Sequence, residues 1–146
     1  MSRSGYNDDY DESFPNASAL FQANVDRALK GKRGRAFLQE LAAAMDQMPE
    51  KMLIAGELVT PEGACCTMGV VFKARGIDVS KIDYHDPEMV GDCLGIPEGV
   101  AREIAFENDD DFRYIKNETP EARWQRMRKW VAEKLEAPCK SQPSTN

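Results

Sequence analysis

The chain has a single histidine, His85, no C-x-x-C pair and no apolar run approaching the roughly 18 residues of a membrane span. Its four cysteines are Cys65 and Cys66, which are adjacent, the isolated Cys93, and Cys139 near the end. Without a C-x-x-C pair their spacing does not match the usual tetrahedral metal sets; no metal and no cofactor is expected, and the cysteines are expected as small buried apolar residues. A redox switch through Cys65 or Cys66 would lack a basic neighbour in sequence. A P-loop, a G-x-S-x-G elbow, an H-E-x-x-H pair and a dinucleotide fingerprint are all missing. That absence weakens an enzyme reading without removing it, since many sites are assembled from scattered residues. The opening Met1-Ser2-Arg3-Ser4-Gly5-Tyr6 has no apolar core like that of a signal peptide, and Asp8 and Asp9 follow at once. The expected address is cytoplasmic. Positive charge is also short, 19 Lys and Arg against 25 Asp and Glu, a formal net of −6. That balance disfavours non-specific nucleic-acid binding by the surface as a whole, but not by a local patch.

What is present suits one domain, since 146 residues are enough to bury a real core. Residues 1–17 are polar and acidic, with Tyr6, Tyr10 and Phe14 among Asp8, Asp9, Asp11 and Glu12. They read as a mobile arm. Residues 138–146 read as a disordered tail, and residues 18–137 as a single mainly α domain: a compact bundle of five to six helices with one short strand or β-hairpin. Phe21, Val25, Ala28 and Leu29 fall on one helical face, and Phe37, Leu38, Leu41, Ala42, Met45 and Met48 form a second stripe ended by Pro49. Met52–Val59 reads as a strand with Gly56 as its weak point. Cys65–Arg75 reads as a buried helix, with a hairpin strand over 64–72 as the competing assignment. Asp86 can cap a helix opening at Pro87, Pro97 opens another, and Thr119 with Pro120 starts the last. On that last helix Trp124, Met127, Val131 and Leu135 share one face.

Three places could carry chemistry. Between the first two helices lies Gly31-Lys32-Arg33-Gly34-Arg35, and residues 26–35 hold five cations against the single anion Asp26. Gly31-Lys32-Arg33-Gly34 matches the G-x-x-G loop with which KH domains clamp a nucleic-acid backbone. The strand expected before it is missing, so a plain hairpin turn and an anion-contacting turn stand beside the KH reading. The run Glu107-Asn108-Asp109-Asp110-Asp111 lacks the alternate spacing of a Ca²⁺ loop and reads as a solvated connector. His85, between Asp83 and Asp86, has the makings of a general base but no nucleophile tied to it. On the last helix Trp130 follows Arg126 by four residues, an interface candidate if the indole is exposed and otherwise a half-buried amphipathic residue, the favoured reading.

The blocks Gly31-Lys32-Arg33-Gly34-Arg35-Ala36-Phe37-Leu38, Leu53-Ile54-Ala55-Gly56, Ala101-Arg102-Glu103-Ile104, Asn108-Asp109 and Glu118-Thr119-Pro120-Glu121-Ala122-Arg123-Trp124, with Met127-Arg128 and Trp130-Val131, resemble small proteins of bacteriophages and proteobacterial prophages. The short start Ser2–Tyr6 fits the same group. The resemblance spans most of residues 31–131 and implies a bacterial host cytoplasm, without implying an activity. The expectation is a non-catalytic accessory protein that binds a host or phage protein, with interference in a host defence system as a subclass. Its contact residues would be Lys32, Arg33, Arg35, Arg126 and Trp130. Direct nucleic-acid binding through the basic turn is the alternative, a small enzyme the second alternative, and no membrane partner is expected.

Overall fold

A computed structural model describes residues 17–110 and 117–136. The arm expected before Ala17, Asp111 of the acidic run and the tail after Glu136 lie outside them. Among the described residues there are six α-helices: α1 (Ala17–Lys30), α2 (Lys32–Asp46), α3 (Thr67–Arg75), α4 (Pro87–Leu94), α5 (Glu98–Ala105) and α6 (Pro120–Glu136). A π-helical turn, Phe106–Asp110, prolongs α5. The mainly α bundle expected from the apolar periodicity is what forms. None of these helices is long and apolar enough to cross a membrane.

Local sequence explains most helix ends. Asp86 caps α4 by accepting from the Met89 N–H, with Pro87 in the first helical position. Thr119 Oγ1 accepts from the Ala122 N–H at the head of α6, again followed by proline. Cys66 does the same for α3, its Sγ accepting from the Gly69 N–H. α3 and α4 close on the left-handed residues Gly76 and Gly95.

α2 is the central strut. Its stripe of Phe37, Leu38, Leu41, Ala42 and Met45 is buried, and it packs against α1, α3 and α6. α3 is apolar all round from Thr67 to Phe72 and is buried over that whole stretch. α5 lies against α1, α3 and α4. The buried side chains form one continuous cluster, with Phe72, Leu38, Leu41, Met45 and Ile104 among its fully enclosed members.

Two close approaches depend on missing Cβ atoms. A Cβ on Gly34 would stand 2.1 Å from the Ala28 carbonyl oxygen, and one on Gly69 would stand 1.9 Å from that of Leu58. The first lets α2 turn back tightly on α1, and the second lets the 58–66 segment lie on α3.

The strand expected over Met52–Val59 is not formed among the described residues. The segment bends at Ala55-Gly56, where Gly56 takes φ 87°, and makes one antiparallel bridge, Val59 to Cys65. The Ile54 N–H donates to the Cys65 carbonyl and the Cys66 N–H to that of Leu58. Pairing stops there because the returning chain enters α3 at Thr67. Of the alternatives over 64–75 the helix is the one that forms, from Thr67 to Arg75.

α6 runs antiparallel to α2, since residue 128 meets residue 46 while residue 135 meets residue 35. Arg128 makes a two-pronged pair with Asp46 at 2.8 and 3.0 Å. Arg35 Nη2 donates to the Leu135 carbonyl at 2.6 Å. Arg75 ties three helices together: it grips Glu40 of α2 at 2.8 and 2.7 Å and donates to the Leu94 carbonyl at the end of α4.

Candidate functional site

The basic segment is a corner and not a loop. Gly31 alone separates the two helices, and Lys32 already belongs to α2. A KH-type clamp needs its G-x-x-G backbone outside the helices, so this geometry does not supply one. Gly34, the second glycine of the pattern, is buried against α1 and has a packing role.

Lys32 and Arg33 are exposed on this corner, Arg27 is exposed beside them at the end of α1, and Lys30 is half-buried. None of these four side chains makes a hydrogen bond or ion pair among the described residues. The contrast with the other described arginines is sharp. Arg35 holds the Leu135 carbonyl, Arg75 pairs with Glu40, Arg102 with Glu98, Arg123 and Arg126 with Glu118, and Arg128 with Asp46. Of all the described arginines, only Arg27 and Arg33 are left for something outside the fold, and they adjoin Lys30 and Lys32. The helix head is also bare: α2 has no side-chain cap and no acidic residue in its first turn. Cations there oppose the positive end of the helix dipole.

Arg126 and Trp130 are placed differently from the expectation. Trp130 is only 7 % exposed and belongs to the core, with the Lys134 ammonium 5.7 Å from the centre of its ring. The exposure that would make it an interface residue is absent. Arg126 grips both oxygens of Glu118, at 2.7 and 2.9 Å, and donates to the Glu107 and Asn108 carbonyls. The reason is that the buried face of α6 is broader than one stripe. Met127, Trp130 and Val131 are all inside, and the π-turn presses on the flank that carries Arg123 and Arg126. Arg35 is intermediate, half-buried with its Nη2 on the Leu135 carbonyl.

The π-turn holds what sequence reasoning missed. The run expected as a solvated connector buries Glu107 and Asn108, which are 4 % and 1 % exposed. Asn108 Oδ1 accepts from the Thr67 N–H at 3.1 Å and from Thr67 Oγ1 at 2.7 Å. Its Nδ2 donates to the Ile54 carbonyl at 2.9 Å and to Asp109. Asp109 in turn accepts from the Gly56 N–H. One amide therefore fastens the head of α3 and the bend at 54–56 to the end of α5. From the other side Arg123 and Arg126 bind its carbonyl. Hydrogen bonds from Arg126 hold the Glu118 carboxyl below the usual glutamate range, with the charges of Arg126 and Arg123 adding to the effect.

The remaining candidates carry less. His85 is exposed and lies against Tyr84, and it does not line the groove described below. Cys65 and Cys66 are buried. Burial, with Cys66 adding to it and Lys73 opposing, pushes the Cys65 thiol up to about 11, so it is a poor nucleophile. No group of three or more His, Cys, Asp or Glu among the described residues is arranged to hold a metal ion. The groove, about 630 Å³ and open to solvent, lies between the end of α2, the 52–54 segment, the 62–65 turn and α3.

No protein-family model, no curated protein sequence and no solved structure matches this chain.

Proposed function

We propose that the chain is a non-catalytic accessory protein of phage or prophage type that binds an acidic host or phage protein in the bacterial cytoplasm. Interference with a host defence complex is one form of such binding. The phage setting rests on the sequence blocks that span residues 31–131. The binding surface is the corner of Arg27, Lys30, Lys32 and Arg33. The observation that carries this reading is the sorting of arginines: the fold engages every other described one internally and leaves Arg27 and Arg33 together at one place.

A nucleic acid would use the same corner, and charge arithmetic favours the protein partner. Four phosphate contacts give a salt slope of about −3.6, a loss of roughly two orders of magnitude between about 50 and 200 mM salt. The rest of the chain is net negative and repels a polyanion that extends beyond the corner. A short acidic segment on a folded partner meets the cations without that penalty.

The test is affinity capture from infected and uninfected bacterial lysates, with and without nuclease, comparing the natural chain with Lys32→Glu/Arg33→Glu. The expected result is a protein retained after nuclease treatment, weakened by salt and lost with the double variant. A partner held equally by the double variant would remove the corner from the reading. Capture abolished by nuclease would transfer the corner to nucleic acid.

A further inference from the structure

We infer that the groove at the far end of α2 is a second docking site, for an apolar segment of a partner protein flanked by Lys or Arg. α2 is 15 residues long, so the groove and the basic corner are about 20 Å apart, and the two surfaces act separately. The apolar floor follows from the local backbone. Burial alternates along residues 52–54, as it does where successive side chains face opposite ways. Leu53 is wholly enclosed, and Met52 and Ile54 face the groove half-buried, beside Met48 and Val70. That presentation is fixed in advance: the Leu53 N–H donates to the Pro120 carbonyl, the Ile54 N–H to that of Cys65, and Asn108 holds the Ile54 carbonyl. The floor therefore needs no ordering when a partner arrives. Methionines suit such a surface because their flexible thioethers adapt to different side chains.

The rim supplies the charge preference. Glu50 and Glu62 are exposed and line the groove, and their carboxylates make no ion pair or hydrogen bond among the described residues. Lys73, the cation on the same rim, has its ammonium on the Gly63 carbonyl at 2.7 Å. An occupant bringing a cation to Glu50 and Glu62 gains; one bringing a carboxylate is repelled. This chain's own ends fit poorly. Residues 1–16 carry Asp8, Asp9, Asp11 and Glu12, and residues 137–146 have no large aliphatic or aromatic side chain. α6 also delivers its end beside Arg35, at the opposite end of α2. An open groove encloses too little of a small molecule to hold it well, whereas a segment anchored on a larger partner needs only to lie along it.

The probe is a fluorescein-labelled helical peptide with leucines at i, i+3, i+4 and i+7 and arginines at both ends, titrated by fluorescence anisotropy. A second peptide has glutamates in place of the arginines. The arginine peptide should bind at least about tenfold more tightly than the glutamate peptide. Glu50→Lys/Glu62→Lys should reverse that order. Ala74→Trp, which adds bulk at an exposed lining position, should abolish binding without moving the unfolding midpoint. Lys32→Glu/Arg33→Glu should leave peptide binding unchanged, which keeps this test distinct from that of the basic corner. Equal affinity for both peptides, or insensitivity to the rim reversal, would overturn the inference. So would concentration-dependent self-association lost on Ala74→Trp, which would give the groove to a second copy of this chain.

Discussion

Replacing Asn108 with alanine tests whether the π-turn organises the fold. Its amide accepts from the Thr67 N–H and hydroxyl and donates to the Ile54 carbonyl, at a side chain 1 % exposed. The hydroxyl of Thr67 can rotate, but the Thr67 N–H and the Ile54 carbonyl cannot turn to another partner. Each buried backbone group left bare costs about 1–3 kcal/mol, so Asn108→Ala should destabilise by about 4 kcal/mol. Against a typical domain stability of about 5–15 kcal/mol that is a large fraction. It corresponds to a melting-point loss on the order of 10 °C for a chain of this size. Urea unfolding should show a lowered midpoint with the slope unchanged. Thr67→Val should then cost less in the Asn108→Ala background than in the natural chain, by about 1 kcal/mol. A loss below about 1 kcal/mol, or strict additivity with Thr67→Val, would refute the idea that this amide joins α3, α5 and the 54–56 segment.

Gly34→Ala should destabilise by about 1–3 kcal/mol or more, because its Cβ would stand 2.1 Å from the Ala28 carbonyl oxygen; an unchanged unfolding midpoint would show that the corner yields freely. The Glu118 carboxyl is lowered by the Arg126 hydrogen bonds, so below the ordinary glutamate range the unfolded chain binds the proton first. Stability from this pair is present above the unfolded value of 4.5 and is lost as pH falls through the depressed folded one. Glu118→Gln should flatten that acid limb in a series of denaturant titrations, and an unaltered limb would show that the pair contributes nothing there. With its thiol raised to about 11, Cys65 should escape iodoacetamide at pH 8 in the native chain while the exposed Cys93 is alkylated. Mass spectrometry finding Cys65 modified as fast as Cys93 would contradict its burial.

What could be read in the sequence was local in origin. The stripe of α2, the caps at Asp86 and Thr119, and the stops at Gly76 and Gly95 depend on neighbours within a turn or two. The failures share a non-local cause. Met52–Val59 alternates like a strand, but a strand needs a partner, and the returning chain turns helical after one bridge. Glu107 and Asn108 read as solvated because they stand in an acidic run. Their burial follows from α5 continuing as a π-turn and from Arg123 and Arg126, 15 to 19 residues on, reaching back to their carbonyls. Trp130 and Arg126 were one step from the stripe, where a helical wheel cannot say how wide the buried face is. For the basic corner, the charges were plain in the sequence. Their lack of internal partners was not, since only the fold shows which arginines it engages.

That corner also departs from the pattern of the later helices. α4, α5 and α6 open on a proline followed by a glutamate, whereas α2 opens with Lys32 and Arg33 on an uncapped glycine. The negative end of α1, which meets the same corner, is already answered by Arg27 and Lys30 in its last turn. Two further cations there add like-charge repulsion and oppose the dipole of α2, an arrangement that costs stability by about 0.3–1 kcal/mol each. Such departures from local consistency mark places kept for something other than folding. The sign of the effect makes the corner testable without confusion. Lys32→Glu/Arg33→Glu should leave the unfolding midpoint unchanged or raise it, most visibly at low ionic strength where the charges are least screened. A partner lost by a protein that is at least as stable cannot have been lost through unfolding. A double variant less stable than the natural chain by more than about 1 kcal/mol would mean that Lys32 and Arg33 serve the fold after all, and the argument from their isolation would fail with it.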